Sequence, residues 1–347
     1  MIQPVYDFRS DNVAGVAPEL MEALQAANLG TAAPYGDDDY TRAMQRRFSE
    51  LFERPVTVFP MSTGTGANGV ALAALASAYG SVLCHPTAHI NVYECGAPEL
   101  FTGAKLVGVG GGDFKVGEKE LEAALASAGF GNPTRVQPFA LNLTQPTDFG
   151  TLYSLQELRT LSELAHARGL RVHMDGARFA NAVAALGCTA AELTWRCGVD
   201  LLSLGATKNG ALNAEALVVF DEALATRIPY LMKRGGQVLS KTRFVSAQLE
   251  RYFADELWLR RAQLANRNAA GLAERLSSLP GVKLVAPVQV NMIFLRLPQR
   301  ALAALRSGPF AFYELGEEVR LVCRHDQEPE GMSRLYDCVR AALGVGS

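Results

Sequence analysis

Lys208 closes an apolar run. It stands in Ser203-Leu204-Gly205-Ala206-Thr207-Lys208-Asn209-Gly210, where Val199-Asp200-Leu201-Leu202 should form a strand that delivers the amine into a turn of small residues. One α/β unit earlier, Leu170-Arg171-Val172-His173-Met174 ends in Asp175-Gly176-Ala177-Arg178. Two neighbouring units therefore end in an amine and a carboxylate. Taken singly, each has an ordinary reading, as a solvated loop lysine and a capping aspartate. Together they suit pyridoxal phosphate, whose aldehyde bonds an amine and whose pyridine nitrogen keeps its proton beside a carboxylate.

Ser62-Thr63-Gly64-Thr65-Gly66-Ala67-Asn68 follows an apolar strand and opens a helix. Glycines let a backbone approach phosphate, and the amides of a helix N-terminus bind it. The turn matches neither the P-loop nor the dinucleotide fingerprint, so a plain helix start is an equal alternative. His85 and His89 flank the next helix start. His89 follows the strand 81–85, on the side of the sheet where ligands collect in open α/β folds. An imidazole there can stack on a flat cofactor and move protons near neutral pH. His173 reads as core and His166 as surface. His85, His89 and His325 lack zinc spacing, so no metal is expected. Guanidinium groups grip carboxylates at two points. Arg178 and Arg320 can thus hold an amino-acid carboxylate between two domains, whereas Arg324 reads equally well as a surface ion pair. Ser10 adds a hydroxyl if the N-terminal segment folds back.

These groups need a scaffold. From about residue 55, short β-rich runs (56–61, 81–85, 105–109, 138–144) alternate with amphipathic stretches, including 117–127 and 154–168. Ser154 and Glu157 make a capping box. Such alternation predicts a mainly parallel sheet covered on both faces. The run 214–220 follows Lys208 too closely for a crossover helix and should be the antiparallel member. After Lys241 the pattern changes to one or two long helices over 242–279. Strands at 282–288, 291–297, 309–315 and 318–323 follow, then a closing helix, 331–343. The expectation is a large domain, 1–245, and a small α+β domain, 246–347.

The chain has 347 residues, 49% apolar and 20% charged, enough for both units. A net charge of −2 and no dense Lys/Arg cluster argue against a nucleic-acid surface. The six cysteines form no CxxC pair and read as reduced thiols of a cytoplasmic protein. Asp7, Arg9 and Asp11 do not read as an export signal. No apolar stretch reaches the roughly 18 residues of a membrane span.

The stretches Asp7-Phe8-Arg9-Ser10-Asp11, Pro34-Tyr35-Gly36-Asp37-Asp38, 62–68, His89, His173-Met174-Asp175-Gly176-Ala177-Arg178-Phe179-Ala180-Asn181-Ala182 and Gly205-Ala206-Thr207-Lys208-Asn209-Gly210 run through most of the chain. In this order they resemble the low-specificity L-threonine aldolases, within the fold-type-I pyridoxal phosphate enzymes and the β-eliminating lyase group. Ala-Thr-Lys-Asn-Gly resembles a subgroup that includes phenylserine-active aldolases. The resemblance implies a seven-stranded-type, mainly parallel sheet with helices on both faces. It implies that Lys208 bonds the cofactor, Asp175 pairs with the pyridine nitrogen and His89 stacks on the ring near the substrate hydroxyl. Gly64 and Thr65 would bind phosphate. Ser10, Arg178 and Arg320 would hold the substrate carboxylate, with Arg178 also against the cofactor. Tyr35 would enter the site from a neighbouring subunit and Lys241 would contact phosphate across that interface, in a homotetramer built as a dimer of dimers.

The implied reaction is reversible cleavage of L-threonine, L-allo-threonine and related L-β-hydroxy-α-amino acids, phenylserine among them, to glycine and an aldehyde. β-Elimination or transamination on the same fold is the nearest alternative, and a nucleotide-binding oxidoreductase a more distant one. One departure stands out. Many members carry a second histidine in Glu-Asn-Thr-His-Asn-Gly, where this chain has Gln145-Pro146-Thr147-Asp148-Phe149-Gly150. The base that removes the hydroxyl proton is therefore open between His89, the first choice, and Asp148.

Overall fold

The computed structural model describes residues 6–345; the outermost residues of the two expected domains, 1–5 and 346–347, lie outside it. A seven-stranded sheet runs in the order 57–61, 215–219, 201–205, 171–176, 137–144, 80–84, 105–108. Five of these strands are linked by parallel pairing. Glu215–Val219 runs antiparallel to both of its neighbours, as its short connection requires.

Alternation along each strand separates two apolar layers. Leu202, Leu204 and Val218 enter one core cluster, with the helices Leu155–His166, Phe179–Leu186 and Arg243–Phe253. Leu201, Leu217 and Val219 enter another, against the helix Gly64–Leu75. That helix is buried from Gly66 to Leu75, which its run of Gly, Ala, Val and Leu permits.

A four-stranded antiparallel sheet, in the order 313–315, 318–322, 292–296, 283–284, follows in the chain. Ile293 and Leu295 pack into its own core, with Leu272 and Leu335. Met292 and Phe294, on the opposite face, join the core of the large sheet. The strand is thus covered on both sides, as its continuous apolar run predicts.

Two of the expected strands differ in extent. The strand expected over 282–288 is confined to Lys283–Leu284. Val285 still donates to Phe294, but Pro287 has no N–H to continue the ladder. The run 309–315 is divided: Phe310–Ala311 pairs in parallel with Tyr6–Asp7, while Tyr313–Leu315 pairs with Glu318–Val322. The stretch 242–279 forms two helices, Arg243–Phe253 and Leu257–Ser277, within the expected one or two; they part at Ala254–Glu256, where Asp255 and Glu256 adopt φ of 51° and 54°.

Candidate active site

Asp175 and Lys208 arrive as the sequence demands. Asp175 lies near the end of the strand Arg171–Gly176, buried. Its Oδ1 accepts from Ala177 N at 3.1 Å and its Oδ2 from Asn68 Nδ2 at 3.1 Å. Lys208 sits in the turn Thr207–Asn209 that follows the strand Leu201–Gly205. Asn209 Nδ2 donates to Tyr252 Oη at 2.7 Å and to Trp258 O at 2.9 Å, so the turn is bolted to the helices that follow. Gly210, at φ 113°, closes it in a conformation that other residues rarely adopt.

Gly64, Thr65, His89, Asp148, Asp175, Arg178 and Lys208 line one cavity. An adjoining cleft shares His89, Asp148, Arg178 and Lys208 and adds Ser10, Phe149, Phe294, Leu315 and Arg320. The structure therefore gathers the candidate residues from both parts of the chain. The cleft also carries an apolar wall that sequence reasoning did not find, in which Phe149 lies 3.7 Å from Phe114 and 4.8 Å from Phe294 between ring centroids.

The electrostatics suit proton transfer. Burial, reinforced by the Arg178 guanidinium, pushes the Lys208 amine below its ordinary value. The hydrogen bond from His89 Nδ1 to Glu94 raises the imidazole above its ordinary value. Burial and the nearby Asp175 charge lift Asp148 to about 6, and its Oδ2 accepts the His89 backbone N–H at 2.9 Å. Burial raises Glu215, behind Lys208, to about 7. His173 is core as expected: burial lowers it to about 4, and it bonds Asn142 and Ser203.

The residues fit pyridoxal phosphate. Thr63 Oγ1 caps Gly66 N, so the helix Gly64–Leu75 starts at the cavity. A Cβ placed on Gly64 would meet nothing within 4 Å, which leaves room beside those first amides. Asn68 Oδ1 and Thr144 Oγ1 line the same cavity, buried and without a protein partner.

Tyr35 and Lys241 are not brought into this cavity. Tyr35 is 63% exposed and Lys241 is exposed. They lie together instead, because Tyr35 N donates to Ser240 O at 2.9 Å. Three groups were given no role from sequence. Asp11 pairs with Arg178, Asn68 joins Asp175 to Glu94, and Glu94 holds His89. Glu94 is legible afterwards as an acid five residues beyond His89, whereas nothing local marks Asp11 as Arg178's partner.

Residues 7–299 match the beta-eliminating lyase family. The chain is 41% identical to the low specificity L-threonine aldolase of Pseudomonas aeruginosa, covering 99% of this chain and 100% of that protein. It is 40% identical to the low specificity L-threonine aldolase of Pseudomonas sp., with coverage of 97% and 98%. The structure superimposes on Leishmania major threonine aldolase with a TM-score of 0.92 at 27% identity, over 97% of this chain and 99% of that one.

Proposed function

The chain belongs to the beta-eliminating lyase family, and on that footing we propose that it is a pyridoxal phosphate-dependent aldehyde-lyase. Its reaction is the reversible cleavage of L-threonine, L-allo-threonine and related L-β-hydroxy-α-amino acids to glycine and an aldehyde. The observation that carries this reading is the convergence of Lys208, Asp175 and His89 on one cavity, in a chain 41% identical to a low specificity L-threonine aldolase over its full length.

Bound there, pyridoxal phosphate supplies an acceptor for the electron pair released when the Cα–Cβ bond breaks. Lys208 is its point of attachment, and its depressed basicity eases exchange with the substrate amine. Asp175 would hold the proton on the ring nitrogen, and Gly64 and Thr65 would receive the phosphate. His89 would stack on the ring and take the β-hydroxyl proton. Arg320, Arg178 and Ser10 orient the carboxylate, which fixes the direction of Cα–Cβ. Arg320, from the 246–347 unit, donates to Arg9 O and lines the cleft beside groups of the 1–245 unit. The Phe149–Phe294 wall receives the β-substituent. An apolar wall discriminates by only about 1–3 kcal/mol per methylene, so a broad range that includes phenylserine follows.

Tyr35 and Lys241 lie outside their own cavity and next to one another, which supports their service to a neighbouring subunit in a homotetramer. All six cysteines are free, which favours the cytoplasm. No described helix is long and apolar enough to cross a membrane.

The test is a visible spectrum of the purified protein before and after L-threonine, with product analysis. A cofactor band that responds to threonine, with glycine and acetaldehyde formed, is expected. A 2-oxo acid product would instead mean β-elimination or transamination.

A further inference from the structure

The side chain of Glu94 is fully buried and touches no expected substrate group, yet it sits at the centre of the polar network. Its Oε1 meets His89 Nδ1 at 2.8 Å and Asn68 Nδ2 at 2.8 Å. The same Asn68 nitrogen reaches Asp175 Oδ2 at 3.1 Å. The Asn68 orientation is fixed by its surroundings. Two carboxylate oxygens face this end of the side chain, and only an NH2 group can donate to both.

We infer that Glu94 is a positioning residue that holds the ring proton of His89 on Nδ1, leaving Nε2 free to accept the proton of the substrate hydroxyl. The inference rests on the reading of His89 as the base. A carboxylate only accepts, so the proton in the His89–Glu94 contact belongs to the imidazole. Without that contact the neutral ring could place its proton on either nitrogen, and one of the two forms cannot act as a base from Nε2. Glu94 also raises the affinity of His89 for a second proton, which lets the ring keep the hydroxyl proton once taken and later return it. Asp148 and Asp175 act in the same direction on the ring, and Lys208 and Arg178 line the same cavity from the opposite sign of charge. Among the described residues, Glu94 alone bonds a ring nitrogen of His89. Asn68 gives the arrangement its rigidity. One amide bridges the carboxylate that holds the base and the carboxylate expected at the pyridine nitrogen, fixing the distance between the two.

Glu94→Gln tests this in the holoenzyme. Glutamine Oε1 can still accept from both His89 and Asn68, so shape is kept and charge is lost. Histidine-labelled NMR should show the His89 pKa falling. The kcat for L-threonine should drop roughly 10- to 100-fold, the scale for partners that orient an imidazole. KM and the cofactor band should be nearly unchanged. The acid limb of the pH–kcat profile should move with the NMR value. In a His89→Asn background the Glu94→Gln loss should vanish, because the two act as one unit. An unchanged His89 pKa with an unchanged rate would overturn the assignment. So would full additivity in the double variant. If Glu94→Gln does not fold, Glu94→Asp keeps the charge, and a His89 pKa at its ordinary value in that variant overturns it equally. Wild-type protein that fails to cleave threonine would refute the proposed reaction, while the NMR comparison would still decide the role of Glu94.

Discussion

Arg178 and Asp11, 167 residues apart in the chain, share a two-point ion pair, with Nε donating to Oδ2 at 2.9 Å and Nη2 to Oδ1 at 2.7 Å. The side chains are 10% and 1% exposed. One edge of the guanidinium is thus committed inside the protein, while Arg178 lines both the cavity and the adjoining cleft. Burial alone would raise the Asp11 carboxyl, but the Arg178 charge and hydrogen bonds hold it down at about 2.

Asp11→Asn should therefore destabilise the protein by about 3–5 kcal/mol, since it leaves a buried guanidinium without its counter-charge. It should also raise KM for L-threonine, because Arg178 loses its orientation. In the wild type the stabilisation is present above the ordinary carboxyl value of 3.8 and is lost as pH falls through about 2. Denaturant titrations at pH 7 and at pH 3 measure both effects. Equal stability of the two proteins at pH 7 would contradict the role given to the pair.

Lys208→Ala should abolish both the visible cofactor band and threonine cleavage, since no other amine approaches Asp175 from a strand end. Asp175→Asn should retain the fold but lose about 100-fold in kcat, or about 3 kcal/mol of barrier. Borohydride-reducible cofactor retained by Lys208→Ala, or wild-type turnover by Asp175→Asn, would relocate the site.

Arg320→Ala should raise KM for amino-acid substrates more than Arg324→Ala does. Alternation puts 320 and 324 on one face, so sequence pattern alone cannot rank them, but the strand ends at Val322 and leaves Arg324 beyond it. Arg324 is engaged elsewhere, donating through Nε to Asp326 at 2.8 Å and through Nη1 to Asp7 O at 2.9 Å. Arg320 lines the cleft, and its Nε is buried without a partner. Steady-state kinetics of both variants on threonine decide the order.

Asp148→Asn should stabilise the cofactor-free protein at pH 8 by an amount on the order of 2 kcal/mol. The wild-type carboxyl is raised from 3.8 to about 6 on folding, so the stability that comes with its proton is present below pH 4 and lost as pH rises through 6. Asparagine never ionises and can still accept the His89 N–H. The advantage should shrink between pH 6 and pH 4, which melting curves across that range will show. An advantage that does not change with pH would mean that Asp148 does not titrate in this window.

Light scattering should give at least a dimer and more readily a tetramer, and Tyr35→Phe should lower kcat with cofactor retained. Tyr35 lines neither the cavity nor the adjoining cleft of its own chain, so its contribution requires a second copy. A fully active monomer would exclude that model.

The succession of strands along the chain and the two groups that close them were legible because local pattern dictates them. Alternation at 201–205 and 215–219 sets two covered faces, and a small-residue turn after the first presents Lys208. The division of 309–315 was not legible. Its residues have strand character throughout, and only the arrival of Tyr6–Asp7 decides which of them pair with what. Asp11 escaped for the same reason, since its partners Arg178 and Asn291 are distant in sequence. Phe149 and Phe294 could be read as apolar, but that they face one another across a cleft depends on how the second sheet docks.

The segment that carries Asp11 precedes its partners by 280 residues or more and can be among the last to settle. Tyr6 pairs with Phe310, Phe8 O accepts from Val322 N, and Asp11 Oδ2 accepts from Asn291. Each of these partners is synthesised long after the residue it meets. Contacts so distant in sequence close slowly. The large sheet can therefore assemble during translation with Arg178 still lacking its counter-ion, and binding competence is acquired as a late event, when the segment 6–11 locks onto residues 291–322.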